Sequence, residues 1–144
     1  MRFLVMVMGS SEEGEHGTPT EQELSAMTTF NEELAAAGVM LAGEGLTPPS
    51  KGVKVTFTDG DPFVTDGPFA EAKEFIAGYW VWQTDSLDDA VAWLKRAPFG
   101  PGAEVQIRQI HEFEDFGDEL TPELRARERA LAEALEQNTK KGKR

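Results

Sequence analysis

Cysteine is absent from the 144 residues of this chain. Its absence excludes a disulfide scaffold, thiol catalysis and any zinc or iron–sulfur site with cysteine ligands. Histidine is nearly absent too, with His16 in a polar segment and His111 after the last core strand. Long hydrophobic runs are also lacking, because residues 3–8 are too few to cross a membrane and have no signal-peptide flanks. We therefore expect a cytoplasmic protein that has no membrane partner and no metal site.

Basic residues are scarce relative to acidic ones, with 14 against 26 and a net charge of −12. Residues 1–120 hold 22 acidic and 7 basic residues, whereas residues 121–144 hold 4 and 7. Such an acidic body repels nucleic acid, so we expect no nucleic-acid partner. We interpret the basic end, residues 140–144, as a solvated tail, since nucleic-acid binding needs a basic face on the folded body. No phosphate-binding loop or other cofactor motif is present, and no cofactor is expected.

The hydrophobic pattern predicts two strand–helix–strand units, at about residues 3–46 and 75–110. A hairpin lies between them, with strands at 53–57 and 63–65 and a turn signal at Asp59-Gly60. This order predicts an α+β fold, a ferredoxin-like split βαβ sandwich with an inserted hairpin. Residues 121–137 add a terminal helix. We therefore divide the chain into a domain at 1–115 and a helical extension with a basic tail at 116–144.

Two helix starts compete before the first helix. Either Thr18 caps it with Pro19 in the first turn, or Thr20 caps it and Glu23 reaches back. Gly38 is the natural stop. The second helix opens at Ser86, three residues before Asp89, in a capping box with aspartate in place of glutamate.

The strands at 3–8 and 75–83 carry large apolar residues on both faces. Two helices cover only one face of the sheet, and the terminal helix has a thin apolar stripe. A second copy of the same sheet is the simplest cover for the other face, so we expect a homodimer with its sheets face to face.

The run at residues 64–79, Val-Thr-Asp-Gly-Pro-Phe-Ala-Glu-Ala-Lys-Glu-Phe-Ile-Ala-Gly-Tyr, resembles the signature of the DGPF branch of the YCII-related family. The resemblance extends over about residues 1–115. It implies a dimeric α+β barrel of uncharacterised activity, and bacterial members of this branch are often linked with extracytoplasmic-function sigma factors. The shorter YCII-like branch is associated with a His–Asp pair, its histidine on the first helix. Residues 20–37 contain no histidine, so that base cannot be carried over.

Three residues are candidates for catalysis. Asp66 is either a cleft carboxylate or a turn residue that caps backbone amides, with Gly67 left-handed and Pro68 fixing the exit. Glu44, between two glycines at the end of a strand, either points into the barrel as a base or emerges into solvent. Lys73 can steady negative charge on a substrate, or it belongs to a surface cluster of charges.

Four residues are candidates for ligand binding: Glu74, Asn31, Arg108 and Met6. Glu74 lies within the family signature. Asn31 interrupts an apolar helix face and either faces the cleft or borders the stripe. Arg108 binds an anion or pairs with an acid such as Glu44 or Glu74. Met6 lines a pocket or belongs to the ordinary core.

Three functions follow from these features. The leading hypothesis is a dimer that binds a small, cyclic or aromatic molecule, with enzymatic proton transfer, isomerisation or elimination left open. The alternative is a non-enzymatic regulatory protein that acts with a sigma factor, which the acidic body and the resemblance favour. The third is a ligand-free structural module in which residues 66–69 only shape a turn.

Overall fold

A computed structural model of the protein describes residues 1–10 and 19–142. It divides the chain into two units, Met1–Ile110 and His111–Arg144. The first unit contains β1 (Arg2–Ser10), α1 (Glu21–Ala36), β2 (Met40–Gly45), β3 (Val53–Thr56), β4 (Phe63–Asp66), β5 (Glu74–Gln83), α2 (Leu87–Leu94) and β6 (Glu104–Gln109). The second contains a 3₁₀ segment, Phe113–Glu119, and α3 (Pro122–Lys141).

Four strands form the main sheet in the order β2-β5-β1-β6, and every neighbouring pair is antiparallel. Strand β5 therefore lies between β1 and β2, and β1 lies between β5 and β6. This interleaving of two βαβ units is the ferredoxin-like topology, so the predicted α+β fold is confirmed.

The inserted hairpin is also confirmed. Strands β3 and β4 pair only with each other, from Val53 opposite Asp66 to Thr56 opposite Phe63. Six residues, 57–62, connect them. Within this loop the Thr58 hydroxyl accepts a hydrogen bond of 3.1 Å from the Gly60 amide, which holds the turn predicted at Asp59-Gly60.

The core lies on the side of the main sheet that α1 and α2 cover. Side chains alternate along a strand, so Phe3 and Val5 of β1 share this face with Trp80 and Trp82 of β5. The aromatic rings meet at angles, with Trp80 and Trp82 centroids 5.4 Å apart. The buried cluster comprises Phe3, Val5, Phe30, Leu34, Val39, Trp80, Trp82 and Ala90.

The opposite side of the main sheet, here called the far face, has a different composition. The register aligns Leu4 with Val81 and Arg108, and Met6 with Tyr79 and Gln106. Alternation puts these residues away from α1 and α2. The far face comprises Leu4, Met6, Met8, Ala42, Glu44, Tyr79, Val81, Glu104, Gln106 and Arg108. It has an apolar centre with charged residues at its margins.

Local hydrogen bonds explain where the helices begin. The Thr20 hydroxyl accepts from the Glu23 amide at 3.1 Å, and the Glu23 carboxylate accepts from the Thr20 amide at 3.0 Å. This reciprocal capping box selects Thr20 as the start, while Thr18 lies outside the described residues. The Ser86 hydroxyl caps α2 by accepting from the Asp89 amide at 3.1 Å.

The turn after α1 and the pairing of the two helices complete the first unit. Gly38 adopts a φ of 73°, the left-handed conformation that ends the helix as predicted. Arg96, just after α2, donates a hydrogen bond of 2.6 Å to Glu33 of α1. The side chains of this pair are about half exposed, so it contributes little stability.

The second unit is mainly helical. Thr121 caps α3 by accepting from the Leu124 amide at 3.2 Å, and Pro122 occupies the first turn. The helix runs four residues beyond the predicted end at Gln137. None of its residues is buried. Among the described residues, no helix is both long and apolar enough to span a membrane.

Candidate functional site

Three glycines form a bare backbone floor beneath α1. Gly43 pairs with Trp80, and Gly45 pairs with Gly78, so all three lie on the helix-covered side of β2 and β5. A β-carbon at Gly45 would meet no heavy atom within 4 Å. This open space is part of a cavity of about 410 Å³, which is within the range of small-molecule sites.

The walls of this cavity are mostly apolar. Met27 and Asn31 come from α1, Val7 from β1, and Trp80 from β5. Phe99 closes one side, with its ring 6.2 Å from the Trp80 ring and inclined at 73°. The lining residues are Val7, Pro19, Met27, Asn31, Gly43, Glu44, Gly45, Ala77, Gly78, Tyr79, Trp80 and Phe99. Asn31 is the polar side chain that this arrangement directs inward.

Asn31 is fixed by a hydrogen bond across the core. The indole Nε1 of Trp80 donates to Oδ1 of Asn31 at 2.9 Å. Gly43 makes this position of the indole possible, since a β-carbon there would lie 2.7 Å from Cδ1 of Trp80. The helix, the central strand and the edge strand are thus linked at one point.

The position of Glu44 on β2 makes it a lining residue of the cavity, but its side chain points away from the cavity. It pairs with Tyr79, and alternation turns both side chains to the far face. Glu44 is exposed in the single chain. Its carboxylate therefore emerges into solvent unless a second sheet covers it, and its predicted place in a barrel interior stays a prediction.

Asp66 ends β4 in the two-stranded sheet and does not line the cavity. It is exposed, and no described residue donates a hydrogen bond to its carboxylate, so the expected capping of backbone amides is absent there. The expectation of a left-handed Gly67 is wrong, since among the described residues the glycines with positive φ are Gly38, Gly102 and Gly117.

Gly67 is required for a close approach instead, at a peptide bond to Pro68 that is cis. A β-carbon on Gly67 would collide with the carbonyl oxygen of Pro49, and the Gly67 amide donates to the Gly52 carbonyl at 2.9 Å. These contacts with Pro49 and Gly52 support the turn interpretation of the DGPF segment, which fastens β4 to the chain before β3.

The charged residues after this turn lie apart from the cavity. Glu71 pairs with Lys54 at 4.0 Å, with both side chains largely in solvent, as the surface-cluster interpretation predicts. Lys73 is exposed just before β5. Glu74 begins β5 and lines a second cavity of about 540 Å³ together with Ser10 and Glu104. The two cavities share Val7 and Ala77 as walls.

Arg108 and Met6 lie on the far face, and the structure separates both from Asn31 by the thickness of the sheet. Met6 is only 5% exposed. Arg108 is on β6 and Glu44 on β2, at opposite edges of the sheet and about 14 Å apart at three strand spacings. The suggested ion pair between them within one chain is therefore wrong. Glu74 is also excluded as an in-chain partner of Arg108. Glu74 pairs with Ser10 of β1, whereas Arg108 pairs with Leu4, six residues away along the same strand.

The two histidines stay outside the candidate site. His16 lies outside the described residues. His111 is in the second unit, where its Nδ1 is 3.5 Å from the Asp115 carboxylate. In the part of the chain that the structure describes, no group of three or more histidine, aspartate or glutamate side chains is arranged to hold a metal ion.

Sequence reasoning identified Asn31 but not the residues that make its cavity. Gly43, Gly78 and Phe99 were not among the candidates. One available signal was the Gly-Glu-Gly run of β2, which puts two glycines on the same face of a strand. Their pairing with Gly78 depends on register, which the sequence alone does not provide.

Fold and cavity together define a ferredoxin-like α+β protein with a pocket between its first helix and a glycine-rich sheet edge. The model of the YCII-related domain matches residues 1–114, and the chain belongs to the YCII-related family. It is also similar to an uncharacterized protein of Rhizobium meliloti (strain 1021), with 27% identity over 75 residues. That match covers 52% of this chain and 60% of the relative's length.

Proposed function

We propose that this YCII-related protein binds a small organic molecule in the cavity between α1 and the β2–β5 floor. One observation carries the proposal: the open space above Gly45, on the helix-covered side of the sheet, belongs to a cavity that the oriented amide of Asn31 also lines. An apolar pocket with few polar groups is the usual form of a small-molecule site.

Other depressions in the first unit support binding less well. The cavity beside Met1, Thr84 and Arg96 has a volume of about 530 Å³. Two of its polar groups are already paired, because the Met1 amine donates to the Thr84 carbonyl at 3.0 Å and Arg96 bonds to Glu33. The cavity beside Glu74 is lined by two acidic side chains and by no aromatic ring.

The test introduces a side chain at the floor of the cavity, where it would occupy the space proposed for the ligand. Gly45→Val puts a side chain into the open space, and Gly100→Val is the matched control, since a β-carbon at Gly100 also meets nothing within 4 Å. A panel of neutral aromatic fragments at millimolar concentration is followed by the backbone amide resonances of position 45 and of Gly78. Fragments should perturb these resonances in the wild type and Gly100→Val but not in Gly45→Val. No perturbation in the wild type, or equal binding by Gly45→Val, contradicts the proposal.

A homodimer through the far face is a second part of the proposal. On β6, Glu104 lies opposite Met8 and Arg108 lies opposite Leu4. The pair of Met6 and Gln106 lies between them. The face is therefore acidic towards one end of β6 and basic towards the other. A two-fold axis across the strands would bring Arg108 against Glu104 of the partner subunit, which makes the face self-complementary.

Sedimentation velocity tests this assembly with a charge exchange. Arg108→Glu should weaken the dimer, and the double variant Arg108→Glu with Glu104→Arg should restore it. A monomeric wild type at micromolar concentration would contradict the proposed dimer. If both variants dimerise as strongly as the wild type, the proposed orientation of the two subunits is contradicted.

Catalysis by proton transfer, isomerisation or elimination is proposed only for the far face, with Glu44 as base. Asp66 and Lys73 gain less support, because the turn function of residues 66–69 explains Asp66 and Lys73 is exposed before β5. Glu44→Gln should abolish turnover of an identified substrate, whereas Asp66→Asn should not. The reverse result contradicts this assignment.

A regulatory role with a sigma factor is the alternative proposal. The acidic excess over residues 1–120, 22 acidic against 7 basic residues, favours a basic protein partner. Pull-down of an extracytoplasmic-function sigma factor at low and moderate salt tests it. Recovery that falls as salt rises supports this role, and no recovery at low salt contradicts it.

A further inference from the structure

We infer that the cavity selects an uncharged, flat molecule with a carbonyl or equivalent oxygen, which accepts a hydrogen bond from the Asn31 side-chain amide. This inference rests on the proposed binding function and names the class of ligand. Three features of the site lead to it: the direction of the Asn31 amide, the absence of directed charge, and the shape of the floor.

The direction of the amide follows from its partner. An indole N–H can only donate, so the Asn31 atom that faces Trp80 at 2.9 Å must be the oxygen. The Nδ2 group then has two N–H donors, and no described residue accepts from them. Asn31 lines the cavity, so a ligand oxygen is the natural acceptor for these donors.

The residues that line the cavity disfavour a charged ligand. Glu44 and Tyr79 are its ionisable residues, and the register turns both side chains to the far face. A ligand charge would enter an apolar space with no opposite charge, which is unfavourable because the charge loses its hydration without gaining a partner. The net charge of −12 further disfavours an anion.

The shape of the cavity floor favours a planar ligand. Gly45 leaves its backbone open to the ligand, since a β-carbon there would meet no heavy atom within 4 Å, and the rings of Trp80 and Phe99 stand beside it at 73° to one another. A planar ring can lie on this floor and contact the edge or face of each aromatic wall. Trp80 acts here as a positioning residue, because it orients Asn31.

Four simple probes separate the elements of the inference: benzamide, benzoate, benzylamine and toluene. Affinities are measured by titration of the backbone amide resonance of Gly45 and the indole resonance of Trp80. Benzamide should bind at least about tenfold tighter than benzoate or benzylamine, and about threefold to tenfold tighter than toluene, as one hydrogen bond predicts.

Variants of Asn31 assign the preference. Asn31→Leu should reduce benzamide binding to the level of toluene and leave toluene unchanged. Asn31→Asp keeps the acceptor for Trp80 but loses both donors, so it should lose the benzamide preference and gain affinity for benzylamine. If Asn31→Leu does not fold, Asn31→Asp alone tests the contribution of the Asn31 donors.

The outcomes distinguish this inference from the proposed function. If no probe binds the wild type, the binding function itself is contradicted. If toluene or a charged probe binds as tightly as benzamide, the cavity is a binding site but the ligand class is wrong. If the benzamide preference survives both Asn31 variants, the role of the amide is wrong.

Discussion

A β-carbon at Gly43 would lie only 2.7 Å from Cδ1 of Trp80, whereas one at Gly45, two residues along the same strand, would meet nothing. The two glycines flank Glu44 and share a face, yet they have different functions in the structure. Gly43 admits an aromatic ring against the backbone, and Gly45 leaves space for a ligand. This difference is the basis of the cavity.

The first prediction follows from this contrast. Gly43→Ala should destabilise the protein by about 1–3 kcal/mol, because the indole of Trp80 must move out of a packed core. Gly45→Ala should be neutral or stabilise by up to about 1 kcal/mol, because the smaller entropy of the unfolded chain is not offset by strain. Urea unfolding measures both. Equal effects of the two substitutions would disprove the proposed close approach.

The second prediction concerns the hydrogen bond between Trp80 and Asn31. A double-mutant cycle of Trp80→Phe and Asn31→Leu should give a coupling free energy of about 0.5–1.5 kcal/mol. Trp82 is the control, because it is fully buried on the same strand and its indole nitrogen has no described partner. The cycle with Trp82→Phe should give less than about 0.5 kcal/mol. Similar coupling in both cycles would mean that packing, not the hydrogen bond, joins these residues.

The third prediction separates the two interpretations of the DGPF segment. Gly67→Ala should cost about 3 kcal/mol, because a β-carbon there collides with the Pro49 carbonyl. Asp66→Asn should change the free energy of unfolding by less than about 0.5 kcal/mol, since this side chain is exposed. Gly60→Ala, in the hairpin turn, is the control and should be close to neutral. A large loss for Asp66→Asn would restore a structural function to its carboxylate.

The fourth prediction tests the start of α1. Thr20→Ala removes one half of the capping box and should cost about 0.5–2 kcal/mol. Thr28→Ala is the matched control, because Thr28 is exposed within the same helix, where alanine has the higher helix propensity. It should be neutral or slightly stabilising. If thermal unfolding shows the larger loss at Thr28, the helix does not begin at Thr20.

The sequence supports the fold far better than the site. The apolar runs of β1 and β5, the Asp59-Gly60 turn and the Thr20–Glu23 spacing are local patterns. They predicted the strands and the hairpin correctly, and Thr20 was one of the two helix starts that they allowed. The function of Gly67 was misjudged because its constraint comes from Pro49, a residue distant in sequence. The expected Glu44–Arg108 pair failed for a similar reason, because strand order decides which edge each residue occupies.

Asn31 illustrates the same limit at the site. Its position on the apolar helix face allowed either a cleft residue or one that borders the stripe, and the sequence could not show which way the amide would face. That direction depends on Trp80, 49 residues away, and on the register that pairs Gly43 with Trp80. Long-range pairing therefore determines the chemistry of the cavity, whereas local patterns determine the elements around it.

The position of bound benzamide is measured most directly by intermolecular nuclear Overhauser effects in the 144-residue chain. The account predicts contacts from the ring protons to the Met27 methyl group and the Trp80 indole, on the helix-covered side of the sheet. Contacts to Met6 and Tyr79 would put the ligand on the far face and contradict the account.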